Sequence, residues 1–357
     1  MNVDYILPVY LTLLPLALIL IALIFNTITT LTLLVNRMAK NINCFKYLAV
    51  IAIFDTLCLF TWNLNQFLTP NFGIQIENYN IYTCRIFLYM QFTSIQISSL
   101  LRSLLCIERF YFVIKFRNLM GNGKNFFGTN KSVKFWITFA IILGAVLNSH
   151  FLFNTGSYGE RQKTLISDEK SYNTSSVKFK FNCYDSIRAL NFKQFWSRVN
   201  LITALIIPSA LMIIFDFSLV YRTYKSKKRI QLNTMRIINK PKSFTLSLLY
   251  ISISYLVLQI PANLYFSFFN DYAPSNNDLM SFVIVELDFL PHSILFFELY
   301  LTNTKFCNIL KQCYETREHE ERRKRSQMSN LNHGNILTGR SFSVMNDSRM
   351  LIKINKY

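Results

Sequence analysis

Residues 5–36 read YILPVYLTLLPLALILIALIFNTITTLTLLVN and contain no charged side chain, since Asp4 and Arg37 are consecutive charges in the chain. A helix that crosses about 30 Å of hydrocarbon needs roughly 20 mainly apolar residues, and this stretch is longer than that. It also lacks the basic leader and the short apolar core of a cleavable signal peptide. The stretch therefore predicts a first membrane span.

Six further stretches of comparable length are poor in charge. Residues 135–159 and 243–270 have no charged side chain at all. The other four contain isolated charges, namely Asp55, Arg102 and Asp216 in one stretch each, and Glu286, Asp288 and Glu298 together in the last. Because backbone groups in lipid must be hydrogen-bonded within their own segment, we expect these stretches to be helices. The sequence predicts an all-α membrane protein, a seven-transmembrane helix bundle.

The basic residues indicate the orientation of these spans. The segments that follow spans one, three, five and seven carry 28 Lys and Arg, whereas the other side carries 9, of which 8 lie in the long segment 160–198. Short basic loops stay in the cytoplasm. We therefore expect residues 1–10 to be a short extracellular N-terminus, residues 11–314 the membrane domain, and residues 315–357 a disordered cytoplasmic tail. The net charge of +19 then lies beside anionic lipid, and no nucleic-acid partner is expected.

The predicted topology separates the seven cysteines. Only Cys84 and Cys183 lie on the outer, oxidising side, which predicts a disulfide between them. Asn173 begins a glycosylation sequon in the same outer loop. Cys307 and Cys313 follow the last span in a short amphipathic helix, where palmitoylation and two unmodified interfacial thiols are both open.

The third predicted span runs from Cys84 to the triplet Glu108-Arg109-Phe110, with Arg109 25 residues after Cys84. This spacing and triplet resemble those of rhodopsin-like (class A) G-protein-coupled receptors. Other positions agree with that family in order, namely Asn26, Asp55, Ser98, Trp136, Pro208 and Pro261. The resemblance covers residues 11–314. It implies a multi-pass plasma-membrane receptor with an extracellular N-terminus, which couples to a heterotrimeric G protein through the triplet.

Two motifs differ from the family. Span six has Leu258-Gln259-Ile260-Pro261 in place of Cys-Trp-x-Pro, so Gln259 is either a switch residue beside the Pro261 kink or a hydrogen-bonded bundle residue. In span seven, FFELY at residues 296–300 is the nearest match to Asn-Pro-x-x-Tyr and keeps only Tyr300. The family's sodium site draws on that missing Asn as well as on the aspartate of span two and the serine of span three.

The intramembrane charges need partners. A lone charge costs at least ~2.5–3.5 kcal/mol on insertion scales, so we predict a buried ion pair between Arg102 and Asp216. The alternatives are that Arg102 extends toward the interface, or that it pairs with Asp55 or Glu298. For Asp55 itself, the alternative to a functional role is a neutral carboxyl group hydrogen-bonded to Asn26 and Ser98.

The triplet Arg109 raises a separate question. The inner end of span six, Asn239-Lys240-Pro241-Lys242-Ser243, contains no acid. We therefore expect Glu108 to be the only acid that holds Arg109, and ligand-independent signalling to be appreciable.

The ligand class is inferred partly by exclusion. The position of the amine-binding aspartate of aminergic receptors is Gln91, and no lysine lies between Asp278 and Lys305 for retinal. We expect a pocket of Gln91, Glu286 and Asp288, in which the acids pair with a cationic group such as an Arg of a short peptide. The alternative is internal pairing of these acids with Arg85 or Arg198.

The sequence thus predicts a neuropeptide receptor. No catalytic set, metal-ligand spacing or phosphate loop is visible, so we expect no enzyme activity, no cofactor and no metal site. A chemosensory receptor of the same fold remains an alternative. A transporter or channel that uses the intramembrane acids is the alternative from another class.

Overall fold

The computed structural model describes residues 3–36, 39, 42–117, 129–159, 180–183, 198–231, 242–265 and 278–315. The chain divides into one unit that ends at Ile309 and a second that begins at Leu310, of which residues 310–315 are described. In this second unit Lys311 and Glu315 form an exposed ion pair of 3.9 Å. The predicted tail beyond residue 315 and the predicted glycosylation site Asn173 lie outside the described residues.

Helices dominate the described structure. In chain order they are α1 Val3–Val35, α2 Asn43–Phe72, α3 Ile81–Arg117, α4 Asn130–Asn148, α5 Ile207–Gln231, α6 Lys242–Leu264, α7 Asp278–Ser293, α8 Leu295–Thr302, and α9 at residues 304–315. Shorter elements are a 3₁₀ turn Ile76–Asn78, a helical turn Phe151–Asn154, a π-helical segment Leu201–Ile206, and two antiparallel strands, β1 Ser157–Gly159 and β2 Lys180–Asn182. Helix α1 begins at Val3, within the predicted N-terminal segment.

Five helices are long and apolar enough to cross a membrane. They are Leu13–Val35, Asn43–Phe72, Asn130–Asn148, Arg198–Arg222 and Leu246–Leu264. Helix α3 is longer than any of these, but its Ser, Gln and Arg side chains lower its mean hydropathy. Helix α7 has only 16 residues because the helix is interrupted at Ile294 before α8 begins. The prediction of an all-α membrane protein therefore agrees with the structure, with five candidate spans among the described residues.

Helix α3 occupies the centre of the first unit, where it packs against α2, α4 and α5. Helix α1 packs against α2 and α7, and α6 packs against α7 and α8. The opposite faces of α1 and α5 expose large apolar side chains such as Leu20, Ile24, Ile214 and Phe217. Apolar faces of this kind suit a lipid environment.

The start of α5 follows from Pro208. Proline has no N–H group, so the carbonyl of Ala204, four residues earlier, receives no helical hydrogen bond from it. The hydroxyl of Ser99 on α3 donates to that carbonyl at 2.5 Å. The π-helical segment Leu201–Ile206 lies at the same place, as is common where proline disturbs the hydrogen-bond ladder. The proline thereby gives α3 a buried attachment point on α5.

A chain of amides continues this attachment to α4. The Asn148 amide donates to Gln96 Oε1 at 2.5 Å, and the Gln96 amide donates to Thr203 Oγ1 at 2.8 Å. Close approach of α3 and α4 requires Gly144, because a Cβ atom there would lie 2.5 Å from Cγ1 of Ile97. Gln96 of α3 therefore links α4 to the π-helical segment that precedes α5.

The predicted disulfide between Cys84 and Cys183 is confirmed. It joins the first turn of α3 to the residue after β2, with the two Cα atoms 5.5 Å apart and both residues buried. The Cys183 N–H also donates to Asn78 Oδ1 at 3.0 Å. Beside it, the rings of Phe92 and Phe151 stack at 4.6 Å. These contacts place the strand segment against the N-terminal end of α3.

We predict that Cys84→Ser and Cys183→Ser each lower surface expression and thermal stability, and that the double variant is no worse than either single one. The disulfide closes a loop with a sequence separation of 99, for which chain entropy gives at most about 4–5 kcal/mol. Surface labelling and thermal unfolding measure the effect. Cys313→Ser, which removes a free cysteine, is the control. Single variants that match the wild type would show that the disulfide is dispensable.

Candidate functional site

Asp55 of α2 is fully buried and lies at the centre of a polar cluster. Its Oδ2 accepts a hydrogen bond from Nη2 of Arg102 at 2.6 Å, within an ion pair. Its Oδ1 accepts from the Ser98 hydroxyl at 2.5 Å and from Nδ1 of His292 at 2.6 Å. One carboxylate therefore connects α2, α3 and α7.

Arg102 is held from a second side by α6. Its guanidinium carbon lies 4.4 Å from the ring centroid of Tyr255, within the range of a cation–π contact. Its Nε is 3.5 Å from the hydroxyl of Ser98, one helical turn earlier on α3. The side chain is only 3% exposed. The cation is thus fixed between the carboxylate of α2 and the aromatic ring of α6.

The hydrogen bonds of His292 assign its tautomer. The amide nitrogen of Gln259 donates to the backbone carbonyl of Asp288 at 3.2 Å and lies 3.0 Å from Nε2 of His292. Because that amide nitrogen is a donor, Nε2 must accept, and the ring proton is on Nδ1, which donates to Asp55. This network therefore contains a neutral imidazole.

Asn26 bonds to a backbone carbonyl at the end of α7, where the helix is interrupted. Carbonyl groups in the last turn of a helix lack intrahelical partners, and the carbonyl of His292 accepts a hydrogen bond from the Asn26 amide at 2.9 Å. The same amide lies 3.3 Å from Thr56 Oγ1. Asn26 thus bonds to α7 at His292 and to α2 at Thr56, the residue after Asp55. Of the two hydrogen bonds in the alternative considered from the sequence, the structure shows the one from Ser98 to Asp55, and none from Asn26 among the described residues.

The predicted pairing of Arg102 with Asp216 is wrong, and the alternative with Asp55 is found. Asp216 of α5 contacts a different arginine of α3, with its Oδ1 4.0 Å from Nη1 of Arg109. Its Oδ2 accepts from the Cys106 thiol at 3.7 Å. The sequence predicts similar depths for Arg102 and Asp216. In the structure, Asp216 instead lies beside Arg109, two helical turns after Arg102 on α3.

Arg109 is 4% exposed, and none of its guanidinium nitrogens has a hydrogen bond within the described part of the chain. Its neighbour Glu108 accepts from the Asn43 amide of α2 at 3.2 Å. The expectation that only Glu108 holds Arg109 is therefore wrong, because Asp216 supplies an acid from α5.

The other residues that the sequence predicts for G-protein coupling are Phe110 and Tyr300. The ring of Phe110 lies 5.2 Å from that of Phe215, and the cation of Arg222 is 5.0 Å from it. Tyr300 is half exposed, and its backbone carbonyl accepts from the Cys307 thiol at 2.9 Å. Partial burial raises the pKa of that thiol. Cys313, in the second unit, is partly exposed.

The predicted ligand-pocket acids have amide partners. Glu286 is buried, with Oε2 accepting from the Asn63 amide at 3.2 Å and Oε1 without a partner. Asp288 Oδ1 accepts from the Asn263 amide at 3.3 Å. Gln91 is buried on α3, and no hydrogen bond between described residues joins it to either acid.

The alternative pairing of these acids with Arg85 is not found. Arg85 instead donates to the backbone carbonyls of Phe153 and Thr155, at 3.1 Å each. The third acid of the predicted seventh span, Glu298, is hydrogen-bonded to the Ser254 hydroxyl of α6.

Of the two residues singled out in the predicted sixth span, Pro261 is exposed on the surface of the described structure. Gln259 is a hydrogen-bonded bundle residue, as one of its two interpretations stated.

Sequence reasoning missed three contributors, His292, Tyr255 and Asn63. His292 stands beside Pro291 in a predicted membrane span, where an ionisable side chain is itself a signal of a buried partner. Tyr255 and Asn63 carry no comparable signal, because tyrosine and asparagine occur throughout the spans of this chain.

The chain matches no family model and no curated protein sequence. Among the described residues, no three His, Cys, Asp or Glu side chains lie close enough to hold a metal ion. Directional bonds join the Asp55 carboxylate of α2 to α3 and α7. Arg102 and His292 extend this network to Tyr255 and Gln259 of α6, so a shift of one helix changes the contacts of the others.

We predict that Arg102→Leu and Asp55→Asn are each destabilising and that the double variant recovers most of the loss. Removing one partner of a buried pair leaves an uncompensated charge, at roughly 3–5 kcal/mol. The free energy of unfolding in detergent measures this double-mutant cycle.

Arg102→Leu combined with Asp216→Asn is the matched reference cycle. Since these two residues contact different partners, their losses should add. Additive losses for Arg102 with Asp55, together with coupling between Arg102 and Asp216, would refute the observed pairing.

Proposed function

We propose that this protein is a seven-span receptor of the rhodopsin-like G-protein-coupled type. In this proposal α3 and the pair α7–α8 cross the plasma membrane together with the five candidate spans. The N-terminus is extracellular. An extracellular ligand, most simply a neuropeptide, acts from the outer side, and a heterotrimeric G protein binds at the inner side.

One observation supports the proposal most strongly, namely the set of contacts along the single helix α3. Its outer end is bonded to the strand segment through Cys84, its middle contacts α2 and α6 through Arg102, and its inner end carries buried Arg109 beside Asp216. A helix with this series of contacts can transmit a displacement from one side of the bundle to the other.

The mechanism is a shift between two packings of one bundle. A ligand changes an equilibrium only by its difference in affinity for the two states. In the structure Arg109 is buried, where a protein partner has no access to its guanidinium. We therefore assign this packing to the resting state. The G protein would favour a packing in which Arg109 is exposed, and a ligand at the outer side would favour the same one.

Glu286 is the anchor that we propose for the ligand. It is buried, and one of its carboxylate oxygens has no partner in the described structure. The neighbouring Asn63 Oδ1 is also without one. Two adjacent acceptors with unused capacity suit a guanidinium or ammonium group, which has only donors.

A peptide screen tests the function. Cells that express the chain are exposed to a library of short Arg-containing peptides, and dissociation of the G-protein subunits is recorded. The matched library carries citrulline in place of Arg, which keeps the shape and removes the charge. We expect responses to the Arg peptides only, and their loss in Glu286→Gln.

Other outcomes would replace the proposal. Ion flux through the purified protein without a G protein would favour a transporter or channel. Responses to small volatile or water-soluble compounds, with none to peptides, would favour a chemosensory receptor of the same fold.

We predict that Asp216→Asn raises ligand-independent signalling several-fold. The substitution removes the acid nearest to Arg109, which leaves a buried cation without a counter-charge and so destabilises the resting packing. The assay measures G-protein dissociation at matched surface expression. Asp216→Glu, which keeps the charge, is the control. Equal basal signals in wild type and Asp216→Asn would contradict the assignment of Arg109 and Asp216 to the resting state.

A further inference from the structure

We infer that Arg102 is a tethered counter-ion which occupies the position of a bound metal cation at Asp55, so that the wild-type protein takes no sodium ion there. The inference concerns the folded chain and does not depend on the receptor proposal, because it can be tested without ligand or G protein.

The first step is the occupancy of the carboxylate. Asp55 has two oxygens, and both already accept from donors at 2.5–2.6 Å: Arg102 on Oδ2, Ser98 and His292 on Oδ1. A sodium ion would have to take the place of one of these donors. Asp55 and His292 are both fully buried, so no side of the Asp55 carboxylate is exposed.

The second step is the chemistry of the surrounding groups. Hard cations bind through several oxygen ligands, from carboxylates, carbonyls, hydroxyls or water. Two of the three groups that face Asp55 present nitrogen-bound hydrogens, from a guanidinium and an imidazole. Hydrogens of this kind repel a metal ion. With the Arg102 guanidinium in place, the groups around Asp55 do not fit a sodium site.

The third step is charge balance. Because Nε2 of His292 accepts from Gln259, the imidazole is neutral, and the negative charge of Asp55 is balanced by the positive charge of Arg102. An added metal ion would leave a net positive charge in a buried cluster, which is strongly unfavourable. The cation–π contact with Tyr255 also holds the guanidinium in place.

The test compares thermal unfolding of the purified full-length protein in sodium chloride and in choline chloride at equal ionic strength. The wild-type protein should give the same Tm in both salts. Arg102→Met removes the cation and frees Oδ2 of Asp55 beside the Ser98 hydroxyl. Its Tm should therefore be lower in choline and should rise by several degrees in sodium, since a ligand that binds only the folded state stabilises it.

Two variants are matched controls for Arg102→Met. Arg102→Lys keeps a tethered cation, and the double variant Asp55→Asn with Arg102→Met removes the anion. Neither should respond selectively to sodium. A wild-type Tm that rises in sodium over choline would overturn the inference. So would an Arg102→Met variant that is folded yet indifferent to sodium. If that variant cannot be purified, the wild-type comparison decides alone.

Discussion

The carboxylate of Asp55 is buried away from water, and the middle of the bundle depends on how its charge is balanced. An ion of this kind in a low-dielectric interior costs several kcal/mol unless a well-placed partner and further hydrogen bonds compensate. Arg102 supplies the charge at 2.6 Å. Two residues of α6 support this arrangement: Tyr255 positions the Arg102 guanidinium, and Gln259 fixes the tautomer of His292. The position of four helices is therefore tied to one anion.

The same physical constraint recurs toward the C-terminal end of α3, with weaker geometry. Arg109 and Asp216 are also buried and of opposite charge, but their nearest charged atoms are 4.0 Å apart and the guanidinium makes no hydrogen bond within the described structure. A pair with so little hydrogen bonding compensates its desolvation poorly. The bundle thus combines a tightly bonded centre with a loosely bonded pair near the C-terminal end of α3, and the proposed two-state mechanism places the rearrangement at that weaker pair.

Sequence reasoning was most successful where one-dimensional counting is sufficient. Charge-poor stretches predicted the helices, and the side of the membrane predicted which two of seven cysteines pair. It failed for the partner of Arg102, because spacing along a helix gives the depth of a side chain but not the rotation of the neighbouring helix. By their predicted depth in the membrane, both Asp55 and Asp216 could be reached by the Arg102 side chain. Only the packing of α2 and α5 around α3 separates them.

The central claim is that Arg102 and Asp55 form a direct buried ion pair. A cryo-electron microscopy structure of the full-length protein in a lipid nanodisc, at a resolution that shows side chains, tests this claim most directly. The account predicts continuous density between the Arg102 guanidinium and the Asp55 carboxylate at hydrogen-bond distance, with His292 on the other carboxylate oxygen. Density for an ion or water between the two groups, or an Arg102 side chain directed at Asp216, would contradict it.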